Sequence, residues 1–371
     1  MKRKGCILMT IGLLAALLAA VPAARAENAP ATGDLTGDGA IGAADAAAIL
    51  RGVALGSLDA NERPDVDLTK NGRIDETDAR AALLYAVGGI SDLTAFGKRV
   101  SGGLCDESLF ANFSYTGGKE DSAGNYRSDT VSVSITRGRA VTSNYTLADI
   151  YIQDISCLKT VFSGGRYNGA PTTVKKMFLT EPDAIVGING DYYKQNHYGP
   201  VIRNGTVYLD RITQKWDIAV LLSSGELVVY DYNTLSKEML DTLDVYQSWV
   251  FGPSLLDAEG HAKTKFRSGV QDINPRSVLG YFEPGHYAFL AVDGRSSESR
   301  GLTMDQLSTL CEDLGFLRAY NLDGGQSSVL YAKEGVANVP YHSGRPSSDI
   351  IVVCDPQEQP EDAGTDQDIE E

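Results

Sequence analysis

The chain has 371 residues, with 49 Asp and Glu against 33 Lys and Arg and a formal net charge of −16. This acidic balance argues against nucleic acid as a partner; a phosphate substrate stays admissible, because a few local arginines override a global field. Lys2, Arg3 and Lys4 precede an apolar run at 7–20, and Ala24-Arg25-Ala26 offers a small-x-small cleavage site. Residues 1–26 therefore read as a secretory signal peptide, too short and wrongly flanked for a membrane span. Its removal would take four basic residues and no acidic one, lowering the net charge to −20. No other apolar run is long enough to cross a bilayer. The expectation is a secreted protein, extracellular or held at the cell surface through a scaffold.

Two copies of one loop follow, 33 residues apart. The first places Asp34, Thr36, Asp38 and Asp45 at loop positions 1, 3, 5 and 12; the second places Asp67, Thr69, Asn71 and Asp78 there. Gly39 and Gly72 supply the sharp turn, and Ile41 and Ile74 anchor the loops. With the position-7 carbonyls of Ala40 and Arg73, and Asp75 at position 9, each loop offers the oxygen-rich, flexible set that Ca²⁺ needs. Gly42 has no side chain at position 9 of the first loop, so water would serve there. Each loop leads into a short helix, and no helix pattern precedes it. A loop–helix duplicated once resembles a dockerin, the module that attaches secreted enzymes to cohesin domains of cellulosome-type scaffolds. The resemblance implies a small all-α, calcium-binding domain over 33–90 with two Ca²⁺ sites and a cohesin partner. It also implies that the partner-facing pairs are Ala43-Ala44 and Glu76-Thr77, whose asymmetry argues against two equivalent docking orientations.

A connector at 91–103 leads to one large domain over 104–354. β-patterned runs lie at 130–135, 184–188, 218–222, 227–232, 287–292 and 350–353, and Asn204-Gly205 marks a type I′ hairpin across 201–208. Thr303 and Gln306 form a capping box. Leu307, Leu310, Cys311 and Leu314 then fall on one helical face, which Gly315 terminates. An acidic tail, 355–371, carries eight carboxylates and no base and reads as disordered. Four cysteines survive processing: Cys105, Cys157, Cys311 and Cys354. An exported chain permits three full pairings among them, although Cys311 sits where a buried free thiol is expected. The fold class expected is α+β: a large domain with a central mixed β-sheet flanked by helices, plus the small all-α domain.

The chemistry concentrates in 287–328. A strand runs into Asp293-Gly294-Arg295; a helix follows; a second strand runs into Asn321-Leu322-Asp323-Gly324-Gly325-Gln326-Ser327. Strand–helix–strand implies parallel neighbours, with Asp293 and Asp323 emerging at one sheet edge, where open α/β sheets bind ligands. The Gly-Gly pair would let successive amides form an anion nest. Asn189-Gly190-Asp191-Tyr192-Tyr193 follows another strand, and Arg276 and Arg345 add positive charge. Carboxylates, arginines and Gly-rich turns together suit a substrate with sugar hydroxyls and a phosphate.

The ordered set INGDYY, GPVIRNG, FGPSLL, NPRSVLG, AVDGR, NLDGGQSS and Arg345 resembles the phosphodiester glycosidase family, which includes the lysosomal uncovering enzyme. The resemblance spans about 126–353. It implies hydrolysis of the bond between a sugar's anomeric carbon and a phosphodiester oxygen, with N-acetylglucosamine-1-phosphodiester alpha-N-acetylglucosaminidase as the reference activity and no organic cofactor. It implies a site drawn from Asn189, Asp191, Arg276, Asp293, Arg295, Asn321, Asp323, Gly324, Gly325, Ser327 and Arg345. A phosphate leaves readily, so the reaction needs charge neutralisation at the phosphate and support for an oxocarbenium-like carbon more than a strong acid. On that basis Asp323 is expected as nucleophile or base, Asp293 as its partner carboxylate, and Arg276 and Arg345 as phosphate clamps. Asn321 and Ser327 would orient hydroxyls. A polysaccharide hydrolase whose arginines bind uronates, and a non-catalytic carbohydrate-binding protein of a cellulosome-like assembly, are the competing readings.

Overall fold

A computed structural model describes residues 33–69, 73–87, 93, 103–105, 107–114, 119–120, 124–196, 199–213 and 215–355. Residues 1–26, expected as a signal peptide, together with Asn71, Gly72, His197, most of the connector and the tail beyond Asp355, lie outside the described residues. The chain divides into two compact units, the first comprising 1–103 with 107–118, the second 104–106 with 119–371. No helix among the described residues is long and apolar enough to cross a membrane.

In the first unit, helices α1 (Ala43–Leu55) and α2 (Glu76–Ala86) each begin at the end of one duplicated loop. Ala46, Ile49, Val66, Leu68, Ala79, Ala81 and Ala82 form a small core, against which Ile41, Ile74, Leu50 and Leu83 pack. Small alanines let the two helices approach closely, and the two loop isoleucines tie the loops to that core.

The second unit is built on three sheets and a hairpin. A seven-stranded sheet runs in the order β1 (Lys119–Glu120), β2 (Tyr126–Arg127), β3 (Val131–Ala140), β4 (Ser143–Ile152), β13 (His286–Val292), β12 (Arg276–Glu283), β14 (Arg318–Asn321). A five-stranded sheet has the order β16 (Gly335–Val336), β15 (Leu330–Ala332), β6 (Ala184–Asn189), β17 (Asp349–Cys354), β5 (Leu158–Phe162). A three-stranded sheet orders β10 (Leu227–Tyr230), β9 (Ile218–Leu222) and β11 (Val245–Trp249), and β7 (Val201–Arg203) pairs with β8 (Thr206–Leu209). Helices are few and short: α3 (Val174–Phe178), α4 (Tyr193–Asn196), α5 (Lys237–Leu240) and α6 (Met304–Asp313). The main core joins the inner faces of the two larger sheets through Ile150, Phe289, Leu322, Ile188, Leu330 and Ile351.

The mixed sheet expected from the sequence is corrected: every pairing between these named strands is antiparallel. β13 and β14 do run in the same direction, but β12 lies between them and pairs with both. The short Glu283–His286 connection makes β12 and β13 a hairpin, so the segment through α6 must step over β12 to reach the next free edge. α6 has the predicted Thr303–Gln306 capping box, and Gly315 follows it at φ 81°. Asn204 and Gly205, at φ 52° and 75°, close the β7–β8 hairpin. The four cysteines are free and buried. Cys157 packs in the main core, whereas Cys354 belongs to a second cluster with Val174, Phe178 and Tyr331.

Candidate active site

Asp323 leaves the end of β14 and is buried. Its backbone is pinned on both sides: its amide donates to Gly190 O at 3.2 Å, and its carbonyl accepts from Asn189 Nδ2 at 2.7 Å. Asn189 in turn accepts from Ser277 Oγ at 2.8 Å and from the Val329 amide at 3.3 Å. This residue therefore links β6, β12 and the turn after β14 rather than facing a substrate.

The Asp323 carboxylate is the centre of a tight polar cluster. Its Oδ2 accepts from Ser327 Oγ at 2.6 Å and from Arg345 Nη2 at 2.8 Å. Arg345 Nε donates to the same serine oxygen at 2.6 Å. Burial raises the Asp323 pKa, and the Ser327 and Arg345 bonds oppose that rise. The Arg345 guanidinium lies 4.8 Å from the centre of the Tyr192 ring. Asp323, Gly324, Gly325, Arg276, Arg295, Asn274, Phe251 and Val270 line a cleft of about 150 Å³.

Arg295 is aimed by Asn274, whose Oδ1 accepts from Nη2 at 2.8 Å, and its guanidinium stands 5.1 Å from the Tyr341 ring centre. A side chain at Gly325 would come within 3.0 Å of the flexible end of Arg295, and Gly325 has φ 64°, the left-handed region that favours glycine. Four non-glycine residues near these groups also have positive φ: Tyr192, Arg295, His342 and Ser343. Such strain concentrates where a surrounding structure over-determines a site. The anion nest expected of the Gly-Gly turn is corrected in part: the amides of Gly325, Ser327 and Ser328 are spent on the carbonyls of Pro275, Gly324 and Gly325.

Three other expected site residues take different places. Arg276 is buried, and its Nε and Nη1 donate to Leu302 O at 3.0 Å and Val270 O at 2.7 Å, while Nη2 bonds to Asp272 O. Burial lowers its pKa to about 10. It walls the cleft and holds the 270–274 loop that carries Asn274; its fork is largely committed to the protein and is a poor phosphate clamp. Asp191 is fully buried in an ion triad: Arg203 Nη2 meets Asp191 Oδ1 at 3.0 Å and Asp349 Oδ2 at 2.9 Å. Asp191 also accepts from the Val250 amide at 2.7 Å, so both its oxygens are occupied and it serves architecture. Burial raises the Asp349 pKa. Arg203 and Asp349 escaped the sequence reading; a lone arginine and a lone aspartate abutting apolar strands were the available signal, since neither is buried without a partner. Asn321 Nδ2 donates to Gly252 O at 2.7 Å, and its Oδ1 is buried with no partner in the described structure.

Asp293 ends β13 as expected but lines a separate cavity of about 420 Å³ with Arg137, Arg139, Asn144, Tyr145, Thr146 and Asn338. Its Oδ1 accepts from the Val339 amide at 2.9 Å and Asn338 Nδ2 at 3.1 Å, and burial raises its pKa. The expected pairing of Asp293 with Asp323 as carboxylate partners is thus replaced by two carboxylates in two cavities. Tyr193 is core, packed with Phe162 and Val201, whereas Tyr192 belongs to the Arg345 cluster.

Among the described residues, both duplicated loops bond their last aspartate in the same way. Thr36 donates to Asp45 Oδ1 through its amide and its hydroxyl, both at 2.9 Å, and the Gly42 amide donates to Asp45 Oδ2 at 2.8 Å. In the second loop Thr69 donates to Asp78 Oδ1 at 3.0 and 3.1 Å, and the Asp75 amide donates to Oδ2 at 2.9 Å. Carboxylate oxygens of Asp34, Asp38 and Asp45 lie within 4.8 Å of one another. An all-oxygen set of this kind fits a hard cation and not a thiophilic one.

Residues 182–354 match the phosphodiester glycosidase family. The match lies within the second unit, whose many strands and few short helices make a β-rich α+β fold. The zebrafish N-acetylglucosamine-1-phosphodiester alpha-N-acetylglucosaminidase catalytic domain, in a structure auto-inhibited by its pro-peptide, shares the fold at a TM-score of 0.51 and 18% identity, over 66% of this chain and 90% of that one. The SPbeta prophage-derived uncharacterized protein YomE of Bacillus subtilis (strain 168) is 28% identical over 153 residues, which is 39% of this chain. The chain spans about a quarter of the length of that relative, 24%.

Proposed function

We propose that the second unit hydrolyses the glycosidic bond of a sugar-1-phosphodiester, releasing free sugar and a phosphomonoester. The observation that carries this reading is the Asp323–Ser327–Arg345 cluster beside Arg295 at the cleft. The match of residues 182–354 to the phosphodiester glycosidase family supports the reaction class. Asp323 works in its ionised form, which Ser327 and Arg345 favour and burial disfavours, and it faces the anomeric carbon as nucleophile or base. Arg345 and Arg295 neutralise the phosphate as the anomeric C–O bond breaks and its electron pair moves to the phosphate oxygen. Arg276 and Asn189 keep the walls of the site in place. The test is hydrolysis of UDP-N-acetylglucosamine and of a methyl-phospho sugar by the mature protein beside Asp323→Asn. Release of sugar and an intact phosphomonoester, lost in the variant, is expected; no release from either diester would turn the reading toward a polysaccharide hydrolase.

The first unit, on the same proposal, is a dockerin-like module that binds Ca²⁺ in both loops and attaches the secreted enzyme to a cohesin. Asp34, Asp38, Asp45 and the Ala40 carbonyl would hold one ion; Asp67, Asn71, Asp78 and the Arg73 carbonyl would hold the other. The identical bonding of Thr36 and Thr69 supports two equivalent sites. Titration with Ca²⁺ after chelation, followed by circular dichroism and by binding to a panel of cohesins, tests it. Unchanged helicity and no cohesin bound would remove the anchoring role and leave the hydrolase reading untouched.

A further inference from the structure

Outside the cleft, the second unit carries a column of aromatic rings that the hydrolytic chemistry does not use. Tyr193 stacks on Tyr167 with ring centres 5.4 Å apart and planes at 16°. Tyr167 stacks on Tyr208 at 5.3 Å and 29°. Phe162 buttresses all three rings, meeting Tyr193, Tyr167 and Tyr208 edge-on at 5.5, 5.8 and 4.9 Å. At the inner end the Arg203 guanidinium stands 5.7 Å from the Tyr193 ring centre, and the Asn168 amide donates to the Tyr193 hydroxyl at 3.1 Å. The outer end is open: Tyr208 is 40% exposed and its neighbour Val207 55%.

The column begins beside the site. Tyr193 directly follows Tyr192, whose ring sits against Arg345, and Arg345 holds Asp323. The column continues past the core to the partly exposed ring of Tyr208, whose open face is available to a ligand. A fixed ring with open surface suits a flat ligand face bearing weakly positive C–H groups, which a pyranose offers. The chain's acidity disfavours nucleobases, the other stacking ligands of comparable shape.

We infer that Tyr208, backed by Tyr167 and Phe162, is a platform for a sugar ring of the glycan that extends from the cleft. This rests on the proposed hydrolytic function for the identity of the ligand. It makes the enzyme one that engages a chain of sugars, with affinity contributed at least one residue away from the scissile bond.

The experiment uses the full chain with Asp323→Asn, which holds substrate without turnover, and calorimetric titration with a bacterial wall polymer of sugar-1-phosphate repeats. Adding Tyr208→Ala is expected to weaken binding about fivefold to tenfold, as loss of one stacked ring does; Tyr208→Phe keeps the ring and should change it less than about twofold. In the otherwise native enzyme, Tyr208→Ala should leave turnover of UDP-N-acetylglucosamine unchanged while raising KM for the polymer. Equal polymer binding with and without the Tyr208 ring, or no binding of the polymer by either protein, overturns the platform. Failure of the native enzyme to cleave any diester, with Tyr208-dependent polymer binding intact, would overturn the hydrolytic reading and leave the platform standing.

Discussion

Asp293 and Asp323 occupy similar positions, one and two residues past the ends of two strands that run in the same direction, and each is followed by glycine. Their settings differ. Asp323 is bonded to a guanidinium and a hydroxyl, Asp293 to an amide side chain and a backbone amide. Both carboxyls are pushed up by burial, but only Asp323 has a cation bonded to its own oxygen. The lesson is that strand-end aspartates followed by glycine do not define chemistry; the partner arriving from a distant loop does. Here that partner is Arg345, 22 positions downstream of Asp323.

The sharpest break of the comparison is Asp323→Asn, expected to lower kcat/KM by at least about a thousandfold, against about tenfold or less for Asp293→Asn. Equal losses would restore the two-carboxylate mechanism. Next comes Arg345→Ala, with a loss of about a hundredfold. The pH profile sharpens its meaning. Activity that needs ionised Asp323 falls as pH drops through a pKa lying above the ordinary aspartate range. Removing Arg345 withdraws a cause that lowers this pKa, so the acid limb should move to higher pH; an unmoved limb would detach Asp323 from the rate. Asn274→Ala releases Arg295 from its aiming contact and should raise KM several-fold, about 1 kcal/mol, with kcat less affected. The smallest effect is on stability. A carboxyl whose folded pKa is raised above its unfolded value costs stability as pH rises through that interval, and acid relieves the cost. Asp293→Asn should therefore raise Tm at neutral pH by about 2 °C, with the gain vanishing below the unfolded pKa; calorimetry at two pH values checks it.

The parts of the fold readable in the sequence were those fixed by local chemistry. The Asn204-Gly205 turn, the Thr303–Gln306 cap and the start and end of β9 follow from neighbours within a few residues. β12 was not read as a strand, because 276–281 are all buried and a continuous buried run lacks the alternation that marks a half-exposed one. Missing it produced the expectation of adjacent parallel strands. In the site, the Asp323, Ser327 and Gly325 grouping was visible as one turn. The fates of Asp191 and Arg276 were not: Asp191 is settled by Arg203 together with the distant Asp349, and Arg276 by the carbonyls of Val270, Asp272 and Leu302, which only the folded loop turns toward it. The sequence shows that a residue is charged, and only the fold shows whether its hydrogen-bonding capacity is already used.

The central claim concerns which bond breaks. Hydrolysis of UDP-N-acetylglucosamine in water enriched in heavy oxygen, followed by mass spectrometry of both products, tests it most directly. The account predicts label at the anomeric position of the released sugar and an unlabelled phosphate product. Label in the phosphate would mean attack at phosphorus, and Asp323 would then have to be assigned to a phosphodiesterase.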